Sequence, residues 1–279
     1  MQQEKNIKKL DTRDYIRVVT SNEFLKIEGL CNLKLNSLKL LYLTISQVHI
    51  NDDKFYTCKI TTSELAKLWG ISRQAVNKCY DDIIKELHNF SATLKKYNDY
   101  GEEKEYIVHL ISMIVKSLDK KKNLTTIELE LDHNANDLFL NLDKNFSRPL
   151  LFDFNKMRSV NSILLWHLIQ VKAASRSKKP VGYQKINAIV TVDEIRKITG
   201  TINKHKLMSD LRKRVIDQAI KEIYKNCNVK IEYTPIKEGK NIIAFNFKMG
   251  NKYAIPKDKL SERGKEMLYR AEKFTLLKN

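Results

Sequence analysis

Two stretches of this chain carry side chains suited to hydrogen bonding with base edges and to neutralising phosphates. In the first, Gln74, Asn77, Lys78, Asp81 and Lys85 recur at helical spacing, with Arg73 close to the helix start. They fall away from an apolar face of Val76, Cys79, Tyr80, Ile83, Ile84 and Leu87. Gln and Asn match the adenine edge in the major groove, and an Arg near a helix start can reach a base or a phosphate. In the second stretch, Lys206, Lys213, Arg214 and Lys221 point away from Leu211, Val215, Ile216, Ala219, Ile220 and Ile223, with Arg212 near the border. Arg suits bidentate contact with guanine, and Lys suits a phosphate. Basic residues also gather in two expected turns, Lys120-Lys121-Lys122 and Lys237 with Lys240. A run such as Leu211-Arg212-Lys213-Arg214, taken alone, is the ordinary composition of a solvated helix face. What gives it weight is the element that holds it.

Other chemistries lack their residues. None of the 8 glycines forms a G-x-x-x-x-G-K-[ST] or G-x-G-x-x-G loop, so no phosphate cradle for a nucleotide cofactor is expected. H-E-x-x-H does not occur, and no two of the 6 histidines lie two residues apart. Cys31, Cys58, Cys79 and Cys227 form no C-x-x-C pair, which fits reduced thiols and neither a disulfide framework nor a zinc site. We therefore expect no catalytic residues, no metal and no cofactor, and the chain is not read as an enzyme. The N-terminus opens with charge and has no apolar signal segment, and no run reaches the ~18 apolar residues of a membrane span. A cytoplasmic location and no membrane partner are expected. The 51 basic against 33 acidic residues, a net charge of +18, favour a polyanionic partner, although an AT-rich coding sequence also enriches Lys. With 279 residues, 42% of them hydrophobic and only 8 Gly and 4 Pro, one large or two ordinary folded domains are expected.

An internal repeat decides between those two. Residues 61–70 read TTSELAKLWG and residues 191–200 read TVDEIRKITG. Thr61, Glu64, Lys67 and Gly70 match Thr191, Glu194, Lys197 and Gly200, while Ile195 and Ile198 keep the apolar positions of Leu65 and Leu68. Upstream, Asn36-Ser37-Leu38 matches Asn161-Ser162-Ile163 in the same order. Each unit then reads alike. An apolar helix (about 36–50 and 159–175) precedes a β-rich stretch (Phe55–Ile60 and Lys185–Val190). A short Thr-started, Gly-stopped helix comes next. A turn leads to a long amphipathic helix, Ser72–Leu87 and about Lys206–Asn226, and alternating strands follow. In the first unit those strands are expected at Ala92–Tyr97, Glu105–Lys116 and Asn123–Leu131, with Leu131 ending a strand that leaves its edge open to a second subunit. Trp69, Trp166, Tyr42, Phe245 and Phe247 sit at core spacing and are read as packing residues. The order is that of a winged helix-turn-helix. The fold class is thus α+β, two tandem winged-helix domains related by duplication. The N-terminal domain is placed at 1–145 and the C-terminal domain, with a basic tail, at 146–279.

Over roughly residues 20–250 the chain resembles the iteron-plasmid replication initiators of the RepA, RepE and Pi type. The resemblance rests on Ser21-Asn22-Glu23-Phe24-Leu25, on Leu38–Leu43, and most specifically on Leu211–Ile223 with Lys230–Tyr233 and Ile236–Lys240. Ile216 stands where the family usually has Leu, and Asn226-Cys227-Asn228 where it often has Thr. The resemblance implies binding of double-stranded origin repeats by the monomer, opening of the origin, and recruitment of the host initiator and helicase. It also implies a homodimer that represses its own gene, with a dimer surface in the first unit's strands, about Glu105–Leu131. A winged-helix transcriptional repressor or partition protein is the alternative.

Overall fold

The computed structural model describes residues 7–9, 16–49, 52–97, 100–119, 124–142, 145–174, 186–227 and 229–251. Lys120, Lys121 and Lys122 and the basic tail beyond 251 lie outside the described residues.

In the first unit, a short strand β1 (Ile7–Lys9) and a two-residue strand β2 (Thr20–Ser21) precede helix α1 (Leu35–Ile45). Strand β3 (Thr57–Thr61), α2 (Thr62–Trp69) and α3 (Arg73–Asn89) follow. Both short helices of the repeat begin with the same device. The Thr61 hydroxyl accepts from the Glu64 backbone N–H at 3.1 Å, and Glu64 Oε2 accepts from the Thr61 N–H at 2.8 Å. Two of the helix's otherwise unpaired donors are thereby satisfied. Gly70 ends the helix at φ 65°, a left-handed conformation that a side chain would strain. Ser72 then starts α3 by accepting from the Ala75 N–H at 3.1 Å.

After α3 come β4 (Ser91–Tyr97), β5 (Glu103–His109), β6 (Ile111–Asp119) and β7 (Leu124–Leu131). Here the expected meander needs correcting. The single strand expected at Glu105–Lys116 is two, broken between His109 and Ile111. β4 and β5 form a hairpin of their own. β7 is not an edge: it pairs with β3 on one side and β6 on the other, in the order β1-β3-β7-β6. Its alternating Ile127, Leu129 and Leu131 are buried because that face of the sheet packs into the core against α1 and α2.

The chain crosses to the second unit through α4 (Asn136–Phe139), β8 (Phe146–Ser147), which pairs with β2, and α5 (Leu151–Lys156). Helix α6 (Val160–Ala174), β9 (Ile186–Thr191) and α7 (Val192–Ile198) then repeat the first unit's plan. Thr191 and Glu194 make the same reciprocal cap, at 3.1 and 2.9 Å. The long helix comes in three pieces: α8 (Met208–Leu211), a π turn over Arg212–Ile216, and α9 (Asp217–Asn226). It starts two residues later than expected, so Lys206 sits in the preceding link. Strands β10 (Val229–Glu238) and β11 (Asn241–Asn251) close the unit in the order β9-β11-β10. That order matches β3-β7-β6, so the two units share one topology. The first adds β1 and the β4–β5 hairpin.

One hydrophobic core runs through both units. Trp69, Trp166, Tyr42, Phe245 and Phe247 are all buried in it, as their spacing predicts. At its centre the Tyr42 hydroxyl meets His167 Nδ1 at 2.8 Å, while His167 Nε2 meets Ser147 at 2.8 Å and Thr20 at 3.3 Å. Burial pushes the His167 pKa down from 6.5 to about 3, so the ring is neutral in the folded protein. An unfolded chain takes up that proton below about 6.5 and the folded one does not until about 3. Stability from this group is therefore present above pH 6.5 and lost as pH falls toward 3, at about 1.4 kcal/mol per pH unit. Urea unfolding between pH 7 and 4.5 should show this slope, and His167→Gln should remove that share of it.

Candidate nucleic-acid interface

On α3, Arg73, Gln74, Asn77, Lys78 and Lys85 are all exposed, and Val76, Tyr80, Ile83 and Leu87 are buried against the first unit's core. Helical periodicity therefore placed this face correctly. An acidic residue, Asp81, also lies on it. Lys116 of β6 answers that charge, with Nζ 3.0 Å from Asp81 Oδ1 and 4.5 Å from the centre of the Tyr80 ring. The strand beside the helix thus offsets a carboxylate that would otherwise repel phosphates.

Each long helix is anchored at its far end by a glutamate. Glu86 of α3 accepts from the Lys34 N–H at 3.1 Å and from the Ser37 hydroxyl, which lie at the start of α1. Glu222 of α9 accepts from the Arg158 N–H just before α6. Both glutamates satisfy donors at a helix start that no intrahelical carbonyl can reach. They fix the angle between the first and third helices of each unit.

In the second unit Lys213, Arg214 and Lys221 are exposed, as are Lys237 and Lys240 in the β10–β11 turn. Arg214 has Asp210 at 3.6 Å one turn back. Arg212 is exposed as well but is held sideways. Its Nε donates to the Tyr233 hydroxyl at 3.3 Å, its guanidinium lies 5.6 Å from the Tyr233 ring centre, and Tyr233 donates to Asp217 Oδ1 at 2.7 Å. Burial, and then the bond to Asp217, raise the Tyr233 pKa, which keeps the hydroxyl protonated as a donor. The Asp217 backbone N–H bonds the Arg212 carbonyl, five residues back, and so closes the π turn. Tyr233 on the wing therefore joins both ends of that turn. The alternation of Val229, Ile231 and Tyr233 marks a strand in the sequence, but nothing there marks the partners of the Tyr233 hydroxyl.

Sequence reasoning missed Arg196 altogether. This α7 residue spans the link to the long helix, donating to the carbonyls of Thr201 at 3.0 Å, Lys204 at 2.9 Å, His205 at 2.9 Å and Lys206 at 3.2 Å. The repeat aligns it with Ala66, and the first unit has only Gly70, Ile71 and Ser72 between its two helices. The second unit's longer link needs donors that the shorter one does not, and a planar guanidinium supplies several at once. Only that difference in link length could have drawn attention to it.

Two family models match the chain in sequence order. The first, described as initiator replication protein WH1, covers residues 17–170, and the second, initiator Rep protein WH2, covers residues 191–249. The chain belongs to the initiator Rep protein family. Its two winged-helix domains are the WH1 and WH2 of that family. Among solved structures, the Pi initiator protein in complex with iteron DNA is similar, with a TM-score of 0.69 and 18% identity over 86% of this chain and 99% of that one. At that identity the likeness is one of fold. A structure of domains 2 and 3 of RctB also aligns, with a TM-score of 0.46 and 9% identity over 79% of this chain and 83% of the other. No curated protein matches the chain. Among the described residues, no helix is long and apolar enough to cross a membrane, and no group of three or more His, Cys, Asp or Glu could hold a metal ion.

The Arg196 clamp makes a measurable prediction for this initiator Rep protein. Arg196→Ala should cost about 2 kcal/mol through lost charge-assisted hydrogen bonds. It should also speed amide exchange across 201–207, with the Gly70–Ser72 link of WH1 unchanged. Hydrogen–deuterium exchange read by mass spectrometry distinguishes the two links.

Proposed function

We propose that this protein initiates plasmid replication by binding directly repeated origin sequences, iterons, in double-stranded DNA. The observation that carries the reading is the duplication: each of two winged-helix units, one after the other in an initiator Rep chain, exposes a polar or basic face on its long helix. Tandem reading units suit a duplex site of about two helical turns. The solved neighbour's complex with iteron DNA supports direct repeats as the target. The division into domains at 1–145 and 146–279 belongs to this proposal. The packing of α6 against β9, α7 and α9 supports it, while α6 also touches residues 22–32 of the first unit and the WH1 match runs on to residue 170. Opening of the origin, recruitment of the host initiator and helicase, and action in the cytoplasm complete the reading.

On this reading Arg73, Gln74, Asn77 and Arg214 face base edges, and Lys213 meets a phosphate. Lys78, Lys85, Lys206, Lys221, Lys237, Lys240 and Lys120–Lys122 meet phosphates, and Arg212 acts from beside the wing. If about 8 phosphates are neutralised, log K should fall against log salt with a slope of roughly −7. Arg214→Ala should cost about 1–3 kcal/mol and relax preference at one base pair, whereas Lys240→Ala should weaken all sequences evenly. Titration and footprinting on origin DNA and its mutated repeats test all three. A slope near zero would sink the reading.

A homodimer that represses its own gene is the second part of the proposal, with the β4–β5 hairpin as its contact. A two-stranded hairpin is marginal in water by itself. These strands form a two-stranded sheet of their own, and Ile107 is 75% exposed on β5. Pairing with the same strand of a second copy would cover it symmetrically. Ile107→Asp should shift sedimentation equilibrium to monomers while binding to direct repeats persists. An unchanged dimer would remove the hairpin from the interface.

A further inference from the structure

The link between α7 and α8 holds apolar side chains in water where a soluble protein would be expected to turn them in. Ile202 is 62% exposed and Leu207 67% exposed, and the residues around them, Lys204 and Lys206, are basic and exposed. Singly exposed apolar residues are common and need no explanation. This pair differs because the backbone that carries it is built to stay where it is. Arg196 grips four of the link's carbonyls from one side. From the other side Cys31 lies so close that a Cβ on Gly200 would sit 2.8 Å from its Sγ. Thr199 and Thr201 are buried, and their hydroxyls bond each other at 2.9 Å. His205 is held at φ 51°, a conformation that non-glycine residues rarely adopt and that surrounding contacts must maintain. With its inner side occupied by these contacts, the link keeps Ile202 and Leu207 outward. Leu207 is the residue from which the long helix starts. In WH1 the corresponding link carries an exposed apolar residue as well, Ile71 at 38%, directly before the cap of α3.

We propose that Ile202 and Leu207 are specificity-determining residues that pack on thymine C5-methyl groups in the major groove. The inference rests on the DNA-reading function above and deepens it. Thymine is the base that offers an apolar group in that groove, and aliphatic side chains are the chemistry that recognises it. The surrounding lysines and the chain's net charge of +18 favour a polyanion over an apolar protein surface as the occupant. Hydrogen-bonding side chains further along the helix would read base edges, and the link would read methyls beside them.

The test uses the full chain and a duplex that it enriches from a randomised pool. Each thymine of that duplex is replaced in turn by deoxyuridine, which removes only the methyl group, and binding is followed by fluorescence anisotropy. At one or two positions the unsubstituted protein should bind about three- to fourfold more weakly, the effect of one buried methyl. Leu207→Ala or Ile202→Ala should bind the thymine duplex more weakly and be indifferent to deoxyuridine there. Circular dichroism melts should show both variants folded, since both side chains are exposed. Deoxyuridine without effect at any position overturns the inference and leaves the DNA-reading function standing. So does a full deoxyuridine penalty retained by both variants, which would assign the methyl to another side chain. A loss of stability in the variants without any effect on methyl reading would mean that the protein itself covers the pair. If no sequence is enriched, the DNA-reading function fails and this inference with it.

Discussion

The hydrogen bond between Tyr42 and His167 is the constraint around which both units are arranged. In the repeat's own alignment, Asn36 with Asn161, these two residues occupy equivalent positions on the first helix of each unit. They meet at 2.8 Å in a fully buried site. Two copies of one helix touching at the same position is what a local two-fold relation between duplicated units produces. A buried imidazole with both nitrogens satisfied tolerates little displacement, since losing a partner leaves a polar group without water. Thr20 and Ser147 complete the set, so the pair also holds the two strands β2 and β8, which are bonded to each other. Near this crossing Lys39 of α1, buried and with its pKa lowered by burial to about 8, donates to the Asn155 carbonyl at 2.7 Å. The relative placement of the two long helices depends on polar groups that only a closed core can hold.

From that centre the two units diverge in how they mount their long helices. WH1 uses a short link and a helix that is α throughout. WH2 uses a longer link clamped by Arg196 and a π turn tied to the wing by Tyr233. In the link, Arg196 supplies carbonyl partners from one side chain, and at the π turn Tyr233 adds side-chain bonds to the main-chain bond that closes it. Arg212 is drawn aside toward β10, while Lys213 and Arg214 remain exposed beside it.

The additions to WH1 show the same economy of edges. β1 covers one side of the four-stranded sheet by pairing in parallel with β3. The β4–β5 hairpin stands outside that sheet and keeps its own exposed strand. An exposed strand is where a second chain can bond.

The amino-acid sequence by itself determined the elements that close over short distances. A capping box joins residues three apart, so Thr61 with Glu64 and Thr191 with Glu194 declared both short helices and, by recurring, the duplication. Helical periodicity likewise sorted α3 into an apolar face and a polar one, because that sorting needs only local geometry. The tertiary structure decided what depends on neighbours distant in the chain. The pattern Ile127-Leu129-Leu131 is the same for an edge strand as for a central one. Only the arrival of β3 and β6 on either side made it central. Arg196, Tyr233 and Arg212 look like ordinary surface or strand residues until the link, the wing and the π turn bring their partners within reach. The pairing of Tyr42 with His167 spans 125 residues. No local signal carries such a contact, because the energy that forms it is the burial of the whole core around it.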